Sequence, residues 1–451
     1  MTYANIKTAL PGPKSKAIMD KMERFVAEAK VKKSLVPSII KEANGAVIRD
    51  IDDNTFIDLA GGVGSLNVGH SNPLVVDKVI ETSKNYTHTD FTVIPYEPYI
   101  DLAEKLCMRA PGTFHKKACF LNSGAEAVES AIKIARKYTG KKAVICFEGA
   151  FHGRTYMALT LTSKVRPYKA EMGPFASDVY RIPYPYIYRW PGHPSEEEVC
   201  DIAIEQLKNV FEYRVAAEET AAVIIEPIQG EAGFIVPPKG YLNRVQQLCK
   251  DLGILFIVDE VQTGFGRTGK FFAAEHFGLE PDLITIGKSV AAGLPLSGVI
   301  GKAEIMDAAG DGAIGGTFVG NPVACSAGLG VLESYDKLDL GDRANKIGEK
   351  IRATFEALSE KSSLVGEIRG VGAMVAIELV NDQSTREPAT EQTTRIIQEC
   401  VQRGVILFKA GIYGNVLRFL CPLVITNEQL DEALTIITEI IESVETVQSH
   451  G

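Results

Sequence analysis

Short apolar runs recur along the chain at residues 118–121, 143–147, 221–225, 254–258 and 283–286, and polar or glycine-rich residues close each one. A run of four or five apolar residues without alternation reads as a strand buried on both faces, the pattern of a parallel sheet. Between the runs the period changes. After residue 121, Ser123-x-x-Glu126 is a capping-box pattern, and Val128, Ala131, Ile132 and Ala135 recur at helical spacing up to Gly140. A further amphipathic helix is expected over 196–211. This alternation predicts a doubly wound α/β domain with a mostly parallel central sheet over residues 61–325. Residues 1–60 read as an irregular leader, a helix and a hairpin turning near Asp53-Asn54, a segment expected to pack with a smaller domain. That smaller α+β domain is expected over 326–451. It would hold a long helix near 323–357, two short strands within 366–378, a helix over 391–402, two more strands and a C-terminal helix from Asn427.

The residues that close the runs are where chemistry is expected, because ligands of open parallel sheets sit beyond the carboxyl ends of the strands. Asp259 follows Ile254-Leu255-Phe256-Ile257-Val258, and Lys288 follows Leu283-Ile284-Thr285-Ile286-Gly287. Glu231 lies a few residues past the 221–225 run. Gly124 and Ala125 open the capped helix, where free N–H groups and the helix dipole favour a phosphate, although a plain helix cap has the same pattern. Phe151-His152-Gly153-Arg154 follows the 143–147 run. Phe151 can stack on a planar ring and Arg154 can fork a carboxylate; the alternative is a surface loop with a solvated arginine. Thr317, in a glycine-rich loop before a helix near Val323, offers a hydroxyl and an N–H to a phosphate oxygen. The glycines around Val63 permit close backbone approach or form an ordinary loop. Arg418 shares a strand face with Val416 and Leu420; it needs a partner if buried, and none if that strand is an edge in water. An aspartate and a lysine leaving neighbouring strand ends, with a phosphate cradle nearby, suggest pyridoxal 5'-phosphate chemistry. The lysine amine binds the aldehyde and the carboxylate keeps the pyridine nitrogen protonated.

Composition narrows the setting. A chain of 451 residues is long for one core, so two or three domains are expected. The net charge of -9 argues against a general nucleic-acid partner. Eight scattered cysteines without a Cys-x-x-Cys pair read as buried free thiols in a reducing compartment. No metal-ligand spacing is present. Without a signal-peptide h-region or a membrane-length apolar stretch, a cytoplasmic, membrane-free protein is expected.

Taken together, Asp259-Glu260-Val261-Gln262-x-Gly-x-Gly-Arg-Thr-Gly, the later Gly287-Lys288-Ser289, Asn122-Ser-Gly-Ala-Glu-Ala127, Phe151-His-Gly-Arg-Thr155 and Gly315-Gly-Thr-Phe-x-Gly-Asn-Pro322 carry a resemblance. The chain resembles the class III, or omega-type, aminotransferases of the fold-type I pyridoxal phosphate enzymes. The resemblance implies transfer of the terminal amine of an ω-amino acid such as 4-aminobutyrate to 2-oxoglutarate in a ping-pong cycle. It implies Lys288 as Schiff-base lysine and proton shuttle, Asp259 on the ring nitrogen and Gln262 on the ring hydroxyl. Gly124 and Ala125 would hold the phosphate, Thr317 would reach it from the other subunit of a homodimer or larger oligomer, and Phe151 would cover the ring. His152 receives no role. Substrate choice falls to Val63, Arg154, Glu231 and Arg418, with Arg154 on the distal carboxylate, and with Arg418 on an α-carboxylate or paired with Glu231. Other ω-amine donors, an amino-acid 2-epimerase and a non-catalytic regulatory domain remain as alternatives.

Overall fold

The computed structural model describes residues 2–31 and 33–448. It divides into two compact units, Pro73–Ala344 and Met1–Asn72 with Asn345–Gly451. The changes of unit thus fall at 72/73 and 344/345, against the 60/61 and 325/326 read from the sequence. Residue 325 cannot mark a linker, because it lies in the helix Pro322–Lys337, whose Ala324, Cys325, Ala327, Val331 and Leu332 are all buried. The single long helix expected over 323–357 is two, Pro322–Lys337 and Leu340–Ser359. Between them Asp339 takes a left-handed φ of 45°, a conformation aspartate tolerates and a helix does not.

The larger unit is built on a seven-stranded sheet. Its order is Lys116–Leu121, Ser297–Lys302, Leu283–Ile286, Leu255–Asp259, Thr220–Ile225, Ala143–Phe147, Val179–Ile182. Only Ser297–Lys302 runs against the rest. Alternate residues of each strand enter different cores. Ile145, Val223, Ile225, Phe256 and Val258 pack with Leu207 and Val245 on one face. Val144, Cys146, Ala222, Ile224 and Ile257 pack with Val128, Ala131 and Ile132 on the other. This double burial is why the runs show no polar alternation, and each fully buried Val or Ile side chain contributes about 1.5–3 kcal/mol. The helix Gly124–Thr139 starts on a complete Ser123/Glu126 capping box and ends at Gly140, whose φ of 69° suits glycine.

The smaller unit holds two sheets. Ile40–Asn44, Val47–Asp50, Thr55–Asp58 and Val405–Ile406 form the first; Val365–Val371, Met374–Asp382, Val416–Phe419 and Phe408–Ala410 form the second, with Glu387–Pro388 paired beside Met374–Asp382. The strand carrying Arg418 therefore has a neighbour on each side. Arg418 is buried at 4% exposure, with its guanidinium 5.8 Å from the centre of the Phe408 ring, so it is no edge-strand arginine in water. Among the described residues no helix is long and apolar enough to cross a membrane.

Candidate active site

The ends of five strands bring the predicted side chains together within the larger unit. A cavity of about 420 Å³ is lined by Gly124 and Ala125, by Phe151 and Arg154, by Glu231, by Asp259 and Gln262, and by Lys288. Each pair or single residue closes or follows a different strand; the parallel register places four of these carboxyl ends side by side, and that of Lys116–Leu121 lies one antiparallel strand away. Thr317 is not among the lining residues; it is exposed, and its carbonyl accepts a bond from His88 Nε2. Val63 and Arg418 belong to the other unit. Val63 is half-exposed in a left-handed conformation, φ 62°.

Asp259 is the most constrained group of the cavity. Its Oδ1 accepts from the Val261 N–H at 3.1 Å and from the Thr285 hydroxyl at 2.9 Å. Its Oδ2 accepts from His152 Nδ1–H at 2.6 Å. Thr285 reaches it because the two residues are paired in register across adjacent strands. The bond to Oδ2 settles the donor on His152: a carboxylate accepts, so Nδ1 carries the hydrogen. The histidine left without a role in the sequence is thus a buried holder of Asp259. Beneath it, the His152 N–H donates to the Thr162 hydroxyl, which donates on to the Gly153 carbonyl.

Glu226, which the sequence reading passed over, also lines the cavity. Its Oε1 accepts from the Phe151 N–H and its Oε2 from the Gly230 N–H, each at 2.9 Å. One buried carboxylate therefore ties together the two loops that carry Phe151 and Glu231. Burial pushes its pKa up to about 7, against the opposing pull of His152. The signal in the sequence was its place directly after the 221–225 run, in the position that Asp259 holds after its own strand.

The donor set can be tested against an anionic, planar, heteroaromatic cofactor. Gly124 and Ala125 are the first two residues of a sixteen-residue helix, so their N–H groups have no intrahelical acceptor and face the cavity end of its dipole. A Cβ at Gly124 would lie 2.8 Å from the Val261 side chain, so this cradle is already filled to the glycine. Two buried side-chain atoms at the cavity, Gln262 Oε1 and His152 Nε2, have no hydrogen-bond partner among the described residues. Buried polar atoms are rarely left so, and a ligand that reaches Gln262 removes one such penalty. The residues fit a ring with a phosphate arm. Among the described residues there is no cluster of three or more His, Cys, Asp or Glu suited to a metal ion.

Residues 28–441 match the family described as Aminotransferase class-III. The chain belongs to the class-III aminotransferases. It is 49% identical to a probable 4-aminobutyrate aminotransferase of Bacillus subtilis, over 89% of this chain and 92% of that protein. It is 44% identical to a 5-aminovalerate aminotransferase of Pseudomonas aeruginosa, over 89% and 93% respectively. Among solved structures, the omega transaminase from Pseudomonas jessenii in complex with PMP superimposes with a TM-score of 0.88 at 26% identity, covering 95% of this chain and 98% of that one. As in the class-III aminotransferases generally, the activity is amino-group transfer, and its substrates are a small-molecule amine and an oxoacid.

Proposed function

We propose that this aminotransferase moves the terminal amine of 4-aminobutyrate to 2-oxoglutarate, giving succinate semialdehyde and glutamate, with pyridoxal 5'-phosphate as cofactor. The observation that carries the reading is the convergence of Asp259 and Lys288, from neighbouring strand ends, on one cavity beside a free helix N-terminus. When bound, the cofactor supplies an electron sink that stabilises negative charge at the donor carbon. Asp259, fixed by His152 and Thr285, would keep the ring nitrogen protonated. Gln262 would bond the ring hydroxyl, whose O–H can donate to its unpartnered Oε1. Gly124 and Ala125 would hold the phosphate, and Phe151 would cover the ring face. Lys288 Nζ would anchor the cofactor at rest and, once displaced by the donor amine, carry the proton between the donor carbon and the cofactor carbon that bears the nitrogen. Arg154, lining the same cavity, would fork the donor's distal carboxylate, and Glu231 would face the substrate. The roles in substrate choice proposed for Val63 and Arg418 rest on the family resemblance.

Relatives named for 4-aminobutyrate support this donor. The 44% identity to a 5-aminovalerate enzyme supports a second reading, a donor one carbon longer. The proposal includes a homodimer in which Thr317 reaches the partner's phosphate; its exposure beside the exposed Phe318 supports this. Free cysteines throughout and the absence of a membrane-length helix among the described residues support a cytoplasmic setting. The test is a half-reaction on the purified protein. Adding 4-aminobutyrate without oxoacid is expected to bleach the cofactor's visible band, and 2-oxoglutarate is expected to restore it. Bleaching by 5-aminovalerate alone would transfer the assignment to the longer donor.

A further inference from the structure

Tyr168 lies outside the cavity, yet it touches two of the side chains that line it. Its ring meets Phe151 edge-on, with centroids 5.3 Å apart and planes at 64°. The Arg154 guanidinium lies over the same ring, 5.8 Å from its centre. Arg154 is exposed at the rim of the cavity, and among the described residues no carboxylate pairs with it, so its fork of donors is left for a ligand while the guanidinium leans on tyrosine. Arginine has many rotamers, and an aromatic face selects among them without consuming hydrogen bonds.

Tyr168 is itself held in place. The next residue, Lys169, donates from Nζ to the carbonyls of Thr160 and Thr162, at 3.3 and 3.1 Å. The Ser163 N–H donates to the Ala150 carbonyl at 2.8 Å, which ties the start of this excursion to the Phe151 loop. Thr162 is also the residue whose hydroxyl accepts from the His152 N–H. The ring under Arg154 and the histidine behind Asp259 therefore share one anchor.

We propose that Tyr168 is a specificity-determining positioning residue, whose ring sets where the Arg154 guanidinium stands and hence which length of ω-amino carboxylate fits the site. This rests on the ω-amino carboxylate reading above. The distance between a carboxylate clamp and the reacting amine selects chain length, and a clamp free to sample several rotamers selects it poorly.

The experiment compares the holoenzyme with Y168L, which removes the aromatic face, and Y168F, which keeps it. KM and kcat are measured for 4-aminobutyrate and 5-aminovalerate, together with calorimetric binding of butyrate, a carboxylate of donor length that cannot react. Y168L is expected to raise KM and weaken butyrate binding about two- to fivefold, the range of an exposed cation–π contact, with kcat nearly unchanged. The preference between the two donors should shrink, and Y168F should behave as wild type. Unchanged KM and donor preference in Y168L would overturn the proposal. So would a Y168F enzyme as impaired as Y168L, or a lowered melting temperature with equal losses for every substrate. R154L separates the layers: if it raises KM while Y168L does not, the clamp stands and the role of Tyr168 falls. A wild type inactive on every ω-amino carboxylate would remove the reading beneath both.

Discussion

Glu226 uses each carboxyl oxygen on a different backbone N–H, and an amide of its size cannot do both. A glutamine presents one acceptor and one donor, so E226Q must set an NH₂ against either Phe151 N–H or Gly230 N–H. The expected cost is about 1–3 kcal/mol of stability, read by chemical denaturation. The same substitution has a pH signature. The carboxyl titrates near 4.5 when unfolded and is raised to about 7 in the fold, so the native state holds the extra proton over that interval. Stability is therefore highest below 4.5 on this account and declines as pH rises toward 7. Glutamine does not titrate, and the decline should be shallower in E226Q. It should not vanish, because burial also raises Glu260 to about 7. An unchanged slope would show that Glu226 is ionised throughout.

Elements that the apolar pattern predicts are those that carry their own punctuation. The Gly124–Thr139 helix has its cap, its spacing and its terminal glycine within the sequence, and all three occur in the fold. The strand ends bearing Asp259 and Lys288 were legible because both faces of a parallel sheet are buried and the first charged residue stands out. Thr285 and Tyr168 were not legible. Thr285 matters only through a cross-strand register, and Tyr168 only through a chain excursion whose return path leaves no periodic trace. Glycines show the same divide between element and site. A Cβ at Gly230 would collide with the end of the Gln262 side chain, which can swing away. G230A should leave the melting temperature nearly unchanged and weaken cofactor binding about three- to tenfold, the loss of one hydrogen bond, measured by fluorescence quenching. A Cβ at Gly348, in the helix Leu340–Ser359, would collide with the backbone carbonyl of Gly372, which cannot move without its hairpin. G348A should cost about 1–3 kcal/mol, read as a lowered denaturation midpoint.

At the scale of the molecule, the proposed dimer makes a separate demand. Phe318 is 66% exposed, and Val93 and Ile94, a few residues beyond His88 whose ring lies 5.6 Å from that of Phe318, are 71% and 62% exposed, apolar surface that association would cover. F318E should yield a particle of half the wild-type mass by light scattering, with unchanged circular dichroism and weakened cofactor retention; a dimer of normal affinity would place the interface elsewhere. The order of the large sheet has a consequence in time. Its first strand in the sequence, Lys116–Leu121, pairs only with its last, Ser297–Lys302, with Leu121 opposite Ser297. The Ser297 hydroxyl also bonds the Ser123 carbonyl at 2.6 Å, at the mouth of the helix that offers Gly124 and Ala125. On a ribosome, the anion cradle thus waits on the order of 10–30 s for the strand that seats it. A nascent chain halted before residue 297 would carry both Asp259 and Lys288 and still lack the seat beside them.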